Sequence, residues 1–261
     1  MIYAGIDAGS RAIKVVLIDA DGSRMIAKAQ ADQGIEQSKL ACELFEKTLA
    51  ENGLQRSDVG RVVATGYGRN AIDVADTTIT EITCHAVGVR HLVPDVRTII
   101  DIGGQDSKLV RLDGNGKVRD FAMNDRCAAG TGRFLEVVAA RLGIPVGDLG
   151  ATASRSKSPA AISSMCVVFA ETEIIGLLSC GRAGEDIVAG VQNAIASRIV
   201  AMAGRSVETP ILFTGGVARI SGMDAALRTA LGQPVAVSPE PQMTGALGAA
   251  LLARRHCENP S

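Results

Sequence analysis

The alternation of apolar and polar stretches along the chain predicts an α/β protein. Short apolar runs end in glycine-rich or polar turns, as in IYAGIDAG near the N-terminus, RVVAT (61–65) and ILFT (211–214), and each run is typical of a buried strand. Longer segments have helical periodicity, and they cover 36–52, 80–92, about 130–142, about 167–178, 185–204, 221–231 and 243–255. Because strands and helices alternate, we expect mixed β-sheets flanked by helices.

One motif occurs twice in the sequence. The segment IDAGSRAIKVVLIDADG (6–22) aligns without gaps on IDIGGQDSKLVRLDGNG (100–116), which pairs Asp7 with Asp101 and Lys14 with Lys108. Each copy is typical of a strand, a glycine turn, a second strand, a hairpin and a third strand. Two similar α/β halves are therefore predicted.

The repeat also sets the predicted domain organisation. Its second copy places a boundary near residue 95, and the last helix is expected to return to the first half. We therefore predict an N-terminal lobe of 1–95 plus 245–261 and a second lobe of 96–244. The 261 residues fit one large or two modest domains.

Composition and charge exclude several classes of function. The formal net charge is −1 and no basic stripe is present, so neither a nucleic acid nor an anionic membrane is expected as a partner. Aromatic residues make up only 3% of the chain, which leaves few side chains for base stacking. Apolar runs stay below the roughly 20 residues that span a bilayer, and no signal-peptide pattern is evident. A cytoplasmic location is predicted, where the six cysteines are not a disulfide framework.

The repeated motif predicts one phosphate-binding loop in each half. Glycine lets backbone N–H groups approach phosphate oxygens, and the aspartate that ends the preceding strand holds Mg²⁺, usually through water. Asp7 and Asp101 are predicted to face each other across a nucleotide cleft, and Gln105 is predicted to orient the attacking water. The other predicted contacts of ATP or ADP in these loops are Gly9, Ser10, Arg11, Lys14, Gly103 and Gly104.

A third glycine pair is predicted to meet the nucleotide. FTGGVA (213–218) follows a strand and is expected to open a helix, as an N–H-rich turn that meets adenosine or its phosphates requires. A single Asp–Gly turn is mostly a hairpin device. Two copies in register, with this pair and MTGALGAAL (243–251), resemble the superfamily of acetate and sugar kinases, heat-shock chaperones and actin. The resemblance implies two ribonuclease-H-like lobes with ATP between them, and further nucleotide contacts are assigned to Gly130, Gly132, Gly215, Gly216, Val217 and Gln242.

Two cysteines immediately precede predicted helices. Cys127 lies in MNDRCAAGTGRFLEVVAARLG and Cys166 lies in SSMCVVFAETEIIGLLSCG. A thiolate in that position is stabilised by unsatisfied N–H groups and by the positive end of the helix dipole, roughly +0.5 charge. The spacing is unlike the CxxC pairs of zinc or ferredoxin sites. From the residues alone, a structural role for both cysteines stays open.

The segments around these cysteines closely resemble one family. NDRCAAGTGRFLE, MCVVFAETE, ATGYGRN (64–70), TEITCHAVG (80–88), IDIGGQDSK and FTGGVA are similar to the ATP-dependent activators of 2-hydroxyacyl-CoA dehydratases, a family that includes the ATPase subunits of benzoyl-CoA reductase. The resemblance implies that Cys127 and Cys166 bind one [4Fe–4S] cluster shared across a homodimer, since four thiolates complete a cubane. The IDIGGQDSK and MNDRCAAGTG segments look closer to the dehydratase activators than to the reductase subunits.

The resemblance implies an ATPase coupled to electron transfer. A reduced ferredoxin or flavodoxin would load one electron, ATP hydrolysis would move the lobes, and the electron would pass to a partner iron–sulfur dehydratase or reductase. For one electron about 59 mV corresponds to ~1.4 kcal/mol. Two other functions share the ATP machinery: a small-molecule kinase of the sugar-kinase type, for which no sugar-binding insertion is evident, and an actin- or chaperone-like ATP switch. The cysteine pair separates these alternatives.

The remaining reactive or charged side chains are assigned plain roles. Glu171 and Glu173 are expected to complement a helix dipole, and Arg126 and Arg133 are expected either to dock an acidic partner surface or to be solvated. Structural roles are expected for the other cysteines and polar helix positions for the histidines, namely Cys42, Cys84, Cys180, Cys257, His85, His91 and His256.

Overall fold

In the computed structural model, which describes residues 1–163, 166–204 and 207–258, strands and helices alternate along the chain. The strands are β1 (Ile2–Ala8), β2 (Ala12–Ile18), β3 (Met25–Asp32), β4 (Val59–Thr65), β5 (Thr77–Thr78), β6 (Thr98–Ile102), β7 (Ser107–Leu112), β8 (Val118–Asn124), β9 (Ile211–Thr214) and β10 (Val235–Val237). The helices are α1 (Gln37–Glu51), α2 (Glu81–Leu92), α3 (Gly132–Leu142), α4 (Leu149–Ala153), α5 (Val167–Ser179), α6 (Gly184–Ala203), α7 (Met223–Leu231) and α8 (Thr244–Glu258).

The chain divides into two compact units. The first unit comprises Met1–Asp95, Leu112–Val118 and the chain from Gln242 onward, and the second unit comprises Val96–Arg111 and Arg119–Pro241. The hairpin tip Leu112–Val118 lies inside the predicted second lobe, yet it packs with the first unit, where the Arg90 guanidinium donates to the carbonyl oxygen of Asn115.

Each unit is built on a five-stranded mixed sheet. The first has the order β3-β2-β1-β4-β5, in which β1 to β3 are antiparallel neighbours and β4 runs parallel to β1 and β5. The second has the order β10-β9-β6-β7-β8, with β7 antiparallel to β6 and with β9 parallel to β6 and β10. The predicted fold class, α/β with mixed sheets flanked by helices, is confirmed, and β6 to β8 repeat β1 to β3.

The central strand β1 is buried along its whole length because helices cover both faces of its sheet. Alternate residues such as Ile2, Ala4 and Ile6 belong to one core that contains the buried side chains of α1. The residues between them face α8, and Tyr3 belongs to the core that contains Ala246 and Ala250. A strand buried on both faces therefore reads as a nearly continuous apolar run.

Small residues let the backbone of α8 come into direct contact with the backbones of the neighbouring elements. A Cβ on Gly5 in β1 would overlap the carbonyl oxygen of Ala246, and a Cβ on Gly88 in α2 would overlap that of Thr244. Similarly, a Cβ on Gly248 in α8 would overlap the carbonyl oxygen of Cys84. Glycine is needed here because any side chain would push these elements apart. The first turn of α8 is thereby held close to the end of β1.

Most predicted elements are present, with differences at their ends. The helix predicted from about 130 begins at Gly132, after a 3₁₀ turn over Ala128–Gly130. The short elements β5, α4 and β10 were not predicted, because five residues or fewer carry too little periodicity. Within the described residues, no helix is long and apolar enough to cross a membrane.

Candidate functional site

The first predicted phosphate loop joins β1 to β2. Asp7 is buried at the end of β1, and Lys14 Nζ in β2 lies 3.1 Å from Asp7 Oδ2. The turn between them closes with the Gly9 amide donating to the carbonyl oxygen of Ala12 at 3.1 Å. A Cβ on Gly9 would lie 2.9 Å from Lys14 Nζ, so glycine keeps the lysine in place. Ser10 is half-buried and Arg11 is exposed on the same turn.

The second predicted phosphate loop joins β6 to β7 in the same way. Asp101 is buried at the end of β6, and Lys108 Nζ lies 3.5 Å from Asp101 Oδ2 and 2.7 Å from Asp106 Oδ2. The turn closes through the Gly103 amide, which donates to the carbonyl oxygen of Asp106 at 2.9 Å. Gln105, the predicted water-orienting residue, is exposed at the tip of the turn.

A buried threonine completes a polar row across each sheet. Asp7 is in register with Lys14 on one side and with Thr65 of β4 on the other. Asp101 is likewise in register with Lys108 and with Thr214 of β9. Residues in register share one face of a sheet, so each unit presents a Lys–Asp–Thr row at its strand ends: Lys14, Asp7 and Thr65 in the first, and Lys108, Asp101 and Thr214 in the second.

Each threonine is followed by a glycine in a left-handed conformation that packs on the aspartate. Gly66 has φ of 93°, and a Cβ there would lie 2.6 Å from Asp7 Oδ1 and from the carbonyl oxygen of Ala8. Gly215 has φ of 90°, and a Cβ there would lie 2.8 Å from Asp101 Oδ1. Sequence reasoning identified Gly215 but missed Thr65, Gly66 and Thr214. The signal that could have found them is the Thr–Gly pair that follows an apolar strand in ATGYG and FTGGV.

The predicted adenosine motif starts differently from the expectation. Gly216 and Val217 begin a 3₁₀ turn, Gly216–Arg219, and α7 starts only at Met223, so the motif does not open an α-helix directly. The Gly215 amide donates to the carbonyl oxygen of Pro241 at 2.8 Å, which ties this turn to the segment before α8. Gln242 follows that segment and is half-buried.

A buried histidine lies beside the first loop. His85 in α2 was interpreted as a polar helix position, but it is buried, and its Nδ1 lies 3.0 Å from the Thr244 hydroxyl. A Cβ on Gly245 would lie 3.2 Å from Asp7 Oδ2 and 3.3 Å from His85 Nε2. His85 therefore helps to hold the first turn of α8 next to Asp7. His85 is buried because glycines let α2 and α8 pack closely, and the local sequence pattern does not reveal this long-range contact.

Cys127 and Cys166 both lie in the second unit, at the starts of helical segments of different length. Cys166 is exposed at the N-cap of α5, and its carbonyl oxygen accepts the Ala170 amide at 2.8 Å. Cys127 is half-buried and precedes only the 3₁₀ turn, so the predicted position directly before a long helix is wrong for this cysteine. Within the part of the chain that the structure describes, no three His, Cys, Asp or Glu side chains come together as a metal site.

The other cysteines differ in exposure. Cys84 is fully buried, and this burial raises the pKa of its thiol to about 12, although the neighbouring Thr65 hydroxyl acts in the opposite direction. Cys180 is exposed at the C-cap of α5, Cys257 is exposed on α8, and Cys42 is half-buried on α1. At neutral pH Cys84 is therefore held as the thiol, which is a poor nucleophile.

Charged side chains near the two cysteines mostly pair within the unit. Glu171 of α5 forms an ion pair with Arg141 of α3, and Glu173 Oε1 accepts from the Ser163 amide at 2.9 Å. Arg133 pairs with Glu136 at 2.9 Å on α3, while Arg126 is exposed. Gly130 is buried, and the Gly132 amide donates to the carbonyl oxygen of Gly103 at 2.9 Å. Glu171 and Glu173 thus lie beyond the first turn of α5, which contains no acidic residue, and they bond to other segments of the unit instead of complementing the helix dipole.

Two mixed sheets, each with a buried aspartate before a glycine turn, define an ATPase fold of the actin and hexokinase class. Within that class, residues 4–253 match the BadF/BadG/BcrA/BcrD ATPase family, and the chain belongs to this family.

Several relatives are similar to this chain over nearly its whole length. The chain is 43% identical over 254 residues to the 2-hydroxyisocaproyl-CoA dehydratase activator of Clostridioides difficile, covering 97% of this chain and 95% of that one. It is 43% identical over 251 residues to the (R)-2-hydroxyglutaryl-CoA dehydratase activating ATPase of Acidaminococcus fermentans, covering 95% of each. A solved structure of the activator of the 2-hydroxyisocaproyl-CoA dehydratase from Clostridium difficile with bound ADPNP has a TM-score of 0.93 and 42% identity, covering 99% of this chain and 96% of that one. The predicted family resemblance is confirmed.

Proposed function

We propose that this chain is an ATPase that drives low-potential electron transfer to a partner iron–sulfur enzyme of the 2-hydroxyacyl-CoA dehydratase class. The observation that carries the proposal is the presence of Cys127 and Cys166, each at the start of a helical segment, in the unit that contains the second phosphate loop. Dehydratase activators that are 43% identical over nearly the whole chain support this class of partner.

The two polar rows are the proposed machinery for ATP hydrolysis. Asp7 and Asp101 are buried carboxylates at strand ends, and carboxylate oxygens suit Mg²⁺. Each has a lysine within 3.5 Å that can turn to a phosphate as a point charge. Gln105 is exposed and free to orient a water. The proposed nucleotide contacts are Gly9, Ser10, Arg11, Lys14, Gly103, Gly104, Gly130, Gly132, Gly215, Gly216, Val217 and Gln242.

Two cysteines per chain would supply half of the thiolates of a [4Fe–4S] cluster. One chain brings two thiols from the same unit, and four thiolates are required, so two copies of the chain complete the set. The N-terminus of α5 stabilises negative charge at Cys166. At Cys127, the Asn124 side chain holds the backbone from both directions, at 3.0 Å to its amide and 2.7 Å to its carbonyl oxygen. A cluster bound there would supply a one-electron store.

Exposed apolar side chains that neighbour Cys127 and Cys166 in the sequence support a homodimer. Val168 and Phe169, which follow Cys166 on α5, are 67% and 70% exposed, and Phe121 and Met123 on β8 precede Cys127 with 54% and 44% exposed. Exposed apolar side chains beside a binding site are typical of interfaces, and their burial contributes roughly 25 cal/mol per Å². We assign these side chains to the interface with the partner copy. Arg126 is assigned to the docking of a ferredoxin or flavodoxin that supplies the electron.

Anaerobic purification with iron analysis tests the proposal. The wild-type protein is expected to be brown, dimeric and to contain about four iron atoms per dimer. Cys127→Ser and Cys166→Ser are each expected to lose the iron and the colour but to keep ATP binding. The matched control is Cys180→Ser, an exposed cysteine at the other end of α5, which should keep both.

Two results would contradict the proposal. A colourless monomer that phosphorylates a small molecule would identify a kinase of the sugar-kinase type. Iron-loaded protein whose ATPase activity is indifferent to candidate 2-hydroxyacyl-CoA dehydratases, but rises with an aromatic acyl-CoA reductase, would change the partner class. Both outcomes are read from the same anaerobic preparation, assayed with and without each partner.

A further inference from the structure

The second phosphate loop is hydrogen-bonded to the segment that contains Cys127. The carbonyl oxygen of Gly103 accepts the Gly132 amide, and that of Gly104 accepts the Arg133 amide, both at 2.9 Å. These are the first two amides of α3, which lack partners inside the helix. A Cβ on Gly132 would lie 3.1 Å from the carbonyl oxygen of Gly103, so a side chain there would have to push the loop carbonyl away by a few tenths of an ångström. A movement of the loop carbonyls therefore displaces the start of α3.

Thr131 lies at the centre of this connection. Its side chain is fully buried, and its Oγ1 lies 3.1 Å from the carbonyl oxygen of Gly104 in the loop and 2.7 Å from that of Ala128. A hydroxyl has one hydrogen to donate. The loop and the turn after Cys127 therefore compete for the same donor.

Cys127 is fixed at the other end of the same short turn. The Thr131 amide donates to the carbonyl oxygen of Ala128 at 3.1 Å, and Asn124 bonds both the amide and the carbonyl oxygen of Cys127. The path from loop to thiol thus runs from Gly104 through the Thr131 hydroxyl and Ala128 to Cys127. Each step of this path is a hydrogen bond or a covalent bond, so a shift of the Gly104 carbonyl is transmitted toward Cys127 and is not absorbed on the way.

We propose that Thr131 is a positioning residue that couples the occupancy of the second phosphate loop to the exposure and orientation of the Cys127 thiol. This inference rests on the proposed function in taking Gly103 and Gly104 as nucleotide contacts and Cys127 as a cluster ligand. When a phosphate draws the loop amides toward it, the carbonyl of Gly104 turns, the Thr131 hydroxyl donates to Ala128 alone, and the turn that holds Cys127 relaxes.

The test uses the full chain without iron, so that the readout is the thiol itself. Alkylation of Cys127 by N-ethylmaleimide is followed by peptide mass spectrometry, without nucleotide and with ADP or a non-hydrolysable ATP analogue plus Mg²⁺. In the wild type, nucleotide is expected to change the Cys127 rate by at least about fivefold, the lower end of usual site-to-site coupling. Cys180, exposed in the same unit, serves as the reference thiol and should not respond.

Variants at Thr131 decide the outcome. Thr131→Val keeps the shape but lacks the hydroxyl, so the nucleotide effect on Cys127 should fall below about twofold, and calorimetry checks that the variant still binds nucleotide. Thr131→Ser restores the donor and should restore the effect. If Thr131→Val does not fold, Thr131→Ala is compared with Thr131→Ser in the same way.

The inference is overturned if the hydroxyl-free variant keeps the wild-type response, or if Thr131→Ser does not recover it. Failure of the proposed function looks different: the wild type would then bind no nucleotide or take up no iron on reconstitution. A wild type that binds both, but whose Cys127 reacts at one rate in all nucleotide states, refutes only the coupling through Thr131.

Discussion

The two polar rows contain the same three types of side chain, lysine, aspartate and threonine, in different electrostatic surroundings. In the first unit, Lys14 faces one carboxylate, Asp7, and keeps 16% of its side chain exposed. In the second unit, Lys108 is 3% exposed and lies between two carboxylates, Asp101 and Asp106. The aligned repeat has Ala12 where the second copy has Asp106. The second row thus has one more negative charge than the first, on the half-buried Asp106, and a cation would compensate it.

The supports of the two loops differ as well. The first loop is braced by Gln33, whose Nε2 donates to the carbonyl oxygen of Gly9 at 2.8 Å and whose amide donates to that of Arg11 at 3.0 Å. Gln33 occupies the position that Cys127 has in the second copy when the repeat is extended. In the second unit the start of α3 provides the brace. Both copies of the repeat therefore contain the lysine and aspartate of the polar row. They differ in what supports the loop, and in the second copy the supporting helix α3 follows the segment that contains Cys127.

Replacing the lysines should give the largest difference between the two rows in the free energy of unfolding. Lys108→Met removes the cation beside the buried Asp101 and the half-buried Asp106, which is expected to lower the free energy of unfolding by about 3–5 kcal/mol. Lys14→Met removes the cation beside one carboxylate only, from a position where 16% of the lysine side chain is exposed, and should cost only about 1–3 kcal/mol. Urea unfolding followed by circular dichroism measures both, and added Mg²⁺ should recover more stability in Lys108→Met. Equal losses would show that Asp106 adds nothing to the second row.

Removing the aspartates tests whether both rows act in hydrolysis. Asp7→Asn and Asp101→Asn are each expected to lower kcat for ATP by about 10²–10³-fold, the usual loss when one preorganised group of a site is removed. The matched controls are Asp19→Asn and Asp113→Asn, the aligned hairpin aspartates of the two copies, which should keep the wild-type kcat. If one of the two site variants stays fully active, its loop binds nucleotide without taking part in the reaction.

The glycines after the threonines should be sensitive in both units. Gly66→Ala and Gly215→Ala place a Cβ on a backbone with positive φ and into a neighbouring carbonyl, so a loss of about 2–4 kcal/mol in the free energy of unfolding is expected. Gly53→Ala is the control, because Gly53 has φ of 66° but no atom within 4 Å of the added Cβ. It should cost about 1 kcal/mol. Similar losses at all three positions would mean that strain alone matters.

These comparisons show which parts of the site a single sequence can reveal. The lysine and aspartate of each row were predictable because they fall inside the aligned copies. Thr65 and Thr214 were not, since they lie on strands outside the repeat and at different distances from it. Only the parallel register of β4 with β1 and of β9 with β6 brings each threonine next to its aspartate.

Long-range packing explains the other residues that the sequence did not reveal. His85 has a polar pattern on its own helix, and only the glycine contacts between α2 and α8 bury it. The helices themselves were predictable from their periodicity, which is local, whereas the 3₁₀ turn after Cys127 depends on the bonds of Thr131 to the second loop. The predicted lobe limits, which place 112–118 in the second lobe, remain a prediction.

The threonines should show a smaller difference between the rows. Thr214 donates its hydroxyl to the carbonyl oxygen of Pro241, so Thr214→Val is expected to lower the free energy of unfolding by about 1–2 kcal/mol. The Thr65 hydroxyl lies beside the Cys84 thiol but makes no hydrogen bond of acceptable geometry within the described residues, so Thr65→Val should be neutral within about 0.5 kcal/mol. Thermal unfolding checks both. A costly Thr65→Val would indicate that its hydroxyl already has a partner.

The smallest expected effect concerns Cys84, whose thiol lies beside Thr65 of the first row. Burial raises the pKa of its thiol to about 12, so the folded chain keeps a proton that the unfolded chain releases above about pH 9. The stabilising contribution is complete below that pH and is lost as the pH rises toward 12, by at most about 1.4 kcal/mol per pH unit. Between about pH 9 and pH 10, wild type should therefore lose about 1 kcal/mol more stability than Cys84→Ala, measured by urea unfolding. The variant removes only this thiol, so the other titrating groups cancel in the difference. Parallel pH profiles for the two proteins would show that solvent reaches the Cys84 thiol beside Thr65.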